Sequence, residues 1–342
     1  MAKIFILAAL SFGLSFAFTP FFTHFLYQHR LGKRIRDTKS APVFAKLHEQ
    51  KAGTPTMGGI LIWLTTLVLA VIFYYLAKLF DSSFVSFNFL TRSQTLLPLG
   101  ALVASALVGL ADDYLNVKGI GPKGGGLRMR YKLIIYIAIA LIGALWFYFK
   151  LDWDIIHIPF LGNYTIGVWY IPIFVFIIVA TSFSVNEADG LDGLAGGILL
   201  SCFAVFGSFA FLQGKFDLAA FCGVICGALL AFLWFNINPA RFFMGDTGSM
   251  SLGVTLGVVA MLTNTMFLLP FIGIIFVLEA LSVIIQIASK KLRNGKKVFL
   301  SAPFHNHLQA IGWPEQKIVM RLWVVSAVFC VLGIILFLLD KS

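Results

Sequence analysis

VWYIPIFVFIIVATSFSV, residues 168–185, runs without a break into NEADGLDGL, residues 186–194. The first part carries no charged side chain, and at about 1.5 Å of rise per residue a helix of this length spans nearly the roughly 30 Å hydrocarbon core of a bilayer. The second part places Glu187, Asp189 and Asp192 beside Asn186 and two glycines. An apolar span that ends in a polar, flexible turn is the unit from which the rest of the chain can be read.

Working outward, similar apolar stretches occupy residues 4–27, 57–77, 96–115, 133–149, 191–212, 218–235, 249–262, 266–289 and 318–339. With 168–185 they predict about ten transmembrane helices in a single all-α, polytopic domain covering 1–342, the helix from 249 being the shortest. Composition agrees, since 59% of the 342 residues are hydrophobic, 12% are charged and the mean hydropathy is +0.92. A soluble domain has no such balance. The net charge of +11 is broken into short runs between apolar segments, which points to anionic lipid headgroups and a phosphorylated substrate rather than nucleic acid. Cys202, Cys222, Cys226 and Cys330 lie inside apolar stretches, without zinc or disulfide spacing. The first apolar run has no small-x-small cleavage site and reads as a retained span.

Lysine and arginine are unevenly shared between the two sides. The connections after the first, third, fifth, seventh and ninth segments hold seven, five, none, one and seven of the 26, counting Arg321 at the edge of the last segment. By the positive-inside rule that side is cytoplasmic, and with ten helices both termini face outward. Residues 150–167 read as an outward hairpin, with alternation at Ile156, Ile158 and Phe160 and a turn at Leu161-Gly162-Asn163.

The acidic residues number only fifteen, and Asp112, Asp113, Glu187, Asp189, Asp192 and Asp246 all fall at segment ends on the basic side, as do His48, His305 and His307. Asp112 and Asp113 close the third segment. Adjacent carboxylates repel each other and oppose the helix dipole, a cost that a hard cation such as Mg²⁺ offsets. Asn186, Asp189 and Asp192 exceed what a helix-connecting turn needs. In NINPARFFMGDTGS, residues 236–249, Asp246 is placed to cap the next helix, while Asn236, Asn238 and Arg241 gather before it as a site for phosphate and metal. His305 and His307 can donate to a diphosphate, bind a metal or exchange protons, although two histidines in a loop are unremarkable alone. Glu279 and Gln286 lie inside the ninth segment, where such groups are paired or functional.

KAGTPTMGG (51–59), ADD (111–113), Asn186-x-x-Asp-Gly-Leu-Asp-Gly-Leu, FMGDTGS (243–249) and His305-x-His followed by GWPE (312–315) occur in this order. Together they resemble the bacterial phospho-N-acetylmuramoyl-pentapeptide transferases, or translocase I, over essentially the whole chain. The resemblance implies a Mg²⁺-dependent inner-membrane enzyme, often a homodimer, with its active site on the cytoplasmic face. It implies transfer of phospho-N-acetylmuramoyl-pentapeptide from UDP-N-acetylmuramoyl-pentapeptide to undecaprenyl phosphate, giving lipid I and UMP for peptidoglycan. By motif, Asp112, Asp113, Asp246 and His305 match catalytic positions, with Asp246 as the metal ligand. Lys51, Thr56, Asn186, Asp189, Gly190, Leu191, Asp192, Asn236 and Phe243 match positions lining the nucleotide and diphosphate site, and His307 is expected to join them. Two departures stand out: Asn306 replaces the middle of three usual histidines, and Glu187-Ala188 replace a usual Leu-Thr. Two other readings are a UDP-N-acetylglucosamine transferase of the same superfamily and an ion-coupled transporter. Carboxylates collected at one face rather than near the midplane argue against transport.

Overall fold

The structure is a computed structural model and describes residues 1–32, 51, 53–80, 84–121 and 125–341. His48, one of the polar residues singled out above, lies outside them. Among the described residues, twelve α-helices follow in chain order: α1 (Ala2–Gln28), α2 (Ile60–Leu79), α3 (Leu96–Lys118), α4 (Met129–Lys150), α5 (Tyr170–Ala188), α6 (Leu194–Leu212), α7 (Phe216–Asn236), α8 (Asp246–Leu262), α9 (Leu269–Ile272), α10 (Ile274–Leu292), α11 (Phe304–Ala310) and α12 (Glu315–Lys341).

Eight of these helices, α1 to α7 and α12, are long and apolar enough to cross a membrane. The chain is therefore a multi-pass membrane protein. Two of the ten expected segments are not among these eight. α8 has 17 residues, one turn fewer than most of the others. The expected ninth helix divides at Gly273 into α9 and α10, and α10 carries Glu279 and Gln286 within an unbroken helix that closes on Lys290 and Lys291.

α8 is the axis of the bundle. Every residue from Thr247 to Leu262 is buried, with α3 and α5 packed along it. Between helices in lipid the hydrophobic effect gives little drive, so contact depends on small residues that let backbones approach. α8 supplies them: a Cβ on Gly253 would stand 2.7 Å from Cα of Ser182 on α5, and one on Gly248 would stand 2.7 Å from Cα of Gly59. Around this axis α1 lies along α7, α7 against α6, and α4 against α5. Their outer faces keep apolar side chains such as Phe5, Phe21, Ile142, Phe176, Trp234 and Val324 exposed, as lipid-facing surfaces require.

The hairpin forms two residues earlier than the sequence suggests. β1 (Ile155–Ile158) pairs antiparallel with β2 (Gly162–Thr165), with Ile158 opposite Gly162. The turn is Pro159-Phe160-Leu161, and Phe160 takes a left-handed φ of 64°. The reason is tertiary: the Phe160 N–H donates to Oδ1 of Asp340 on α12 at 2.5 Å, which holds the turn there.

Candidate active site

The polar residues meet where α8 begins, and Asp246 is the first helical residue rather than the cap. The cap position belongs to Gly245, with φ 74°. No side chain fits there, since a Cβ would lie 2.4 Å from Oδ2 of Asp113 and 2.7 Å from the Thr56 hydroxyl. The backbone N–H groups at the start of the helix are taken by the protein itself. Those of Asp246 and Thr247 donate to Oδ1 and Oδ2 of Asp113, each at 3.1 Å. A carboxylate across two free N–H groups satisfies them and complements the helix dipole. Asp113 thus seats α8, with Gly109 close enough that its Cβ would be 2.4 Å from the Asp246 carbonyl oxygen.

Asp112, one residue earlier, faces elsewhere. Its Oδ1 accepts from the Leu127 N–H at 2.5 Å, and its Oδ2 meets Nζ of Lys132 at 2.6 Å. The same ammonium reaches Oδ2 of Asp246 at 2.5 Å. Oδ1 of Asp246 accepts from Nδ2 of Asn186 at 2.9 Å, and that amide also reaches the Ser249 hydroxyl. Asp189 accepts from the Gly245 N–H at 3.2 Å. Asp112 and Asp113 are 3% and 4% exposed, so their charges are compensated by protein rather than water.

Lys132 escapes a reading of the sequence because it stands among Lys123, Arg128 and Arg130 in a basic connection, with nothing local to distinguish it. Only the packing of α4 brings its ammonium between two aspartates. Among the described residues no three carboxylate, imidazole or thiol groups converge tightly enough to hold a metal alone. The donor set nevertheless suits Mg²⁺: hard carboxylate oxygens of Asp112 and Asp246 both lie against one cationic group. An ion held by one or two carboxylates takes its other ligands from substrate phosphate and water.

A second cluster surrounds Asp192. Its Oδ1 pairs with Nζ of Lys51 at 2.6 Å, and its Oδ2 accepts from Nδ2 of Asn238 at 2.9 Å and from the Ala240 N–H at 3.1 Å. Lys51 also meets Glu315 at 2.5 Å, and the same Glu315 oxygen accepts the Asp192 N–H. Asn236 clamps the turn from below, accepting from the Gly193 N–H and donating to the Phe242 carbonyl. The Phe243 ring lies 5.9 Å from the Lys51 ammonium. Residues 55–59 run beside 243–244 through Phe243 N–H to Pro55, Gly58 N–H to Phe243 and Gly59 N–H to Met244, each 2.8 Å, which buries Thr56 next to Gly245. Leu191 is buried under the turn.

Arg241 does not join. It is exposed, with its guanidinium stacked over Phe235. Of the two histidines, His305 turns inward to Glu279, while His307 stays on the loop side and accepts from the Leu300 N–H at 3.3 Å. Gln286 holds that loop against α10, accepting from the Val298 and Phe299 N–H groups and donating to the Phe299 carbonyl.

The turn at 186–193 serves every cluster: Asn186 and Asp189 go to the first, Asp192 and Gly193 to the second, and Gly190 to His305.

Comparison with known proteins adds an independent line. Residues 95–264 match the model of glycosyl transferase family 4, and residues 51–62 match phospho-N-acetylmuramoyl-pentapeptide-transferase signature 1. The chain is 40% identical to the phospho-N-acetylmuramoyl-pentapeptide-transferase of Chloroflexus aggregans, over 100% of this chain and 91% of that protein. It is 38% identical to the protein of that name from a Geobacillus species over 95% of each chain, and 37% identical to that of Thermodesulfovibrio yellowstonii over 95% and 90%.

Proposed function

The chain belongs to the phospho-N-acetylmuramoyl-pentapeptide-transferase family, and on that premise we propose that it moves phospho-N-acetylmuramoyl-pentapeptide from UDP-N-acetylmuramoyl-pentapeptide to undecaprenyl phosphate, releasing UMP and forming lipid I. The observation that carries this reading is the convergence of Asp112, Asp246 and Lys132 beside a second cluster of Lys51 and Asp192. A diphosphate needs positive charge, and a transferred phosphoryl group needs two anions brought together.

Mg²⁺ is part of the proposal, and when bound it reduces repulsion between the reacting phosphates. Asp246, with Asp112 across from it, would hold the ion. Asp113 keeps Asp246 in place through the start of α8. Asn186 fixes Oδ1 of Asp246, so Oδ2 is left to face Lys132 and a cation. Asp112 is the group best placed to meet the lipid phosphate. A phosphate monoester is largely ionised at pH 7, its second pKa being about 6, so the acceptor needs orientation more than deprotonation. Lys51, tethered by Asp192 and Glu315, and the Phe243 face beside it form the donor side.

The basic, polar face is proposed to be cytoplasmic in the inner membrane, with both termini outward and the protein a homodimer. Cysteine placed at exposed Lys297, in a background without native cysteines, should react with impermeant thiol reagents only after the membrane is opened. Labelling of intact cells would invert the orientation.

The deciding experiment gives purified protein undecaprenyl phosphate, Mg²⁺ and either UDP-N-acetylmuramoyl-pentapeptide or UDP-N-acetylglucosamine, and follows UMP. Release with the muramoyl donor alone is expected, and Asn306→His should preserve or raise it. Preference for the N-acetylglucosamine donor would overturn the substrate. No release with either would overturn the transferase.

A further inference from the structure

Gly190 and His305 are far apart in sequence, yet a Cβ built on Gly190 would lie 2.2 Å from Nε2 of His305. The imidazole is 1% exposed, and Glu279 on α10 is completely buried. One carboxylate oxygen, Oε2 of Glu279, serves both the His305 backbone N–H at 3.2 Å and the ring Nδ1 at 3.0 Å. Nε2 has no partner among the described residues.

We propose that Glu279 is a positioning residue for the transfer: by holding Nδ1 of His305 it leaves Nε2 as the working nitrogen, set against Gly190 of the 186–193 turn. The inference rests on the transferase reading above.

Several features distinguish this arrangement from an ordinary packed pair. A carboxylate inside an apolar helix bundle is costly unless its partner makes use of it. Here both contacts converge on one oxygen, so the start of α11 and the tilt of the ring are fixed together. A histidine held at one nitrogen presents the other in a defined direction, as in metal and catalytic sites where a carboxylate orients an imidazole. The free nitrogen then meets a residue with no side chain, and Gly190 keeps that approach open. A buried ring nitrogen with no protein partner is costly, and a ligand hydrogen bond removes that cost.

The test is a double-mutant cycle on the full-length protein in lipid nanodiscs, with UMP release as the readout. Glu279→Leu should lower kcat by about 10- to 100-fold, the scale seen when the orienting partner of a working histidine is lost. KM for the muramoyl donor should stay within about threefold, because ground-state binding is left in place. In a His305→Ala background the same substitution should cost less than about twofold, because its route of action is gone. Equal losses in both backgrounds would assign Glu279 to packing alone and overturn the inference.

Glu279→Gln controls for folding, since it retains an oxygen for both N–H groups, and most of kcat should return. Histidine-selective ¹⁵N spectra should show Nδ1 of His305 bearing the proton in the wild type. An unprotonated Nδ1 would overturn the inference without reference to turnover. A wild type that releases no UMP fails the transferase reading, and this inference with it, before any variant is made. The two failures are therefore distinguishable.

Discussion

The two ends of α8 solve the same electrostatic problem with different surplus. A helix leaves N–H groups at its start and carbonyls at its end, equivalent to partial charges of opposite sign. At the end, Nζ of Lys215 donates to the Leu262 carbonyl at 2.6 Å, Nε2 of Gln213 donates to Thr263, and Asn264 accepts from the His157 N–H. One cation meets one negative pole. At the start, the Asp113 carboxylate already satisfies the positive pole, yet Asp112 and Asp246 are added with Lys132 between them. Those two carboxylates exceed what the helix start needs, and their place in a low-dielectric setting is what supports the proposal of a cation and anionic substrates at this end.

The largest test of that contrast is Asp246→Asn. Turnover should fall on the order of 10³-fold, the scale lost when one charge partner of phosphoryl transfer is removed, while the protein remains monodisperse and the Mg²⁺ optimum shifts. Near wild-type turnover at ordinary Mg²⁺ would make the two ends equivalent.

Lys132→Met asks whether the ammonium occupies ground that a metal can share. Removing one partner of a buried pair costs roughly 3–5 kcal/mol, so the thermal midpoint without Mg²⁺ should drop clearly. Mg²⁺ should restore part of it. A drop that Mg²⁺ leaves unchanged would make the cluster structural.

The close approach that seats α8 is open to a paired measurement. Gly59→Ala would put a Cβ 2.2 Å from Cα of Gly248, a backbone contact that cannot yield cheaply. It should cost roughly 1–3 kcal/mol or more by overpacking. Gly100→Ala on α3 meets nothing within 4 Å and should be neutral or stabilising by roughly 0.5–1 kcal/mol, since alanine is the better helix former. Equal behaviour of the two would refute the packing account.

The last test concerns the balanced end. Burial, with the Lys341 ammonium as a lesser cause, pushes Lys215 from its ordinary 10.5 down to about 8. Between those values the unfolded chain holds a proton that the folded one has released, so stability rises with pH across that window. Below pH 8 both states are protonated and the cost of the buried charge is fully present. A thermal-unfolding series should show the rise in the wild type and lose it in Lys215→Met.

Much of this was legible in the chain itself. Apolar segment length determines which stretches can enter a bilayer, because unpaired backbone cannot, and all eight candidate spans coincide with expected segments. The scarcity of acidic residues made Asp112, Asp113, Asp189, Asp192 and Asp246 conspicuous, and their place at segment ends put them near one face. Sequence did not reveal which of them share a partner. Asp112 and Asp113 are neighbours that point to different tasks, because successive side chains on a helix diverge by about 100°. Lys132 became a site residue, Arg241 ceased to be one, and Glu279 met His305 only once α4, α7, α10 and α11 were packed. Hydropathy is a property of each segment and survives in isolation. The direction in which a side chain's charge points depends on helix rotation and close approach, and those are decided by glycines and serines on α8 whose role appears only when another backbone lies against them.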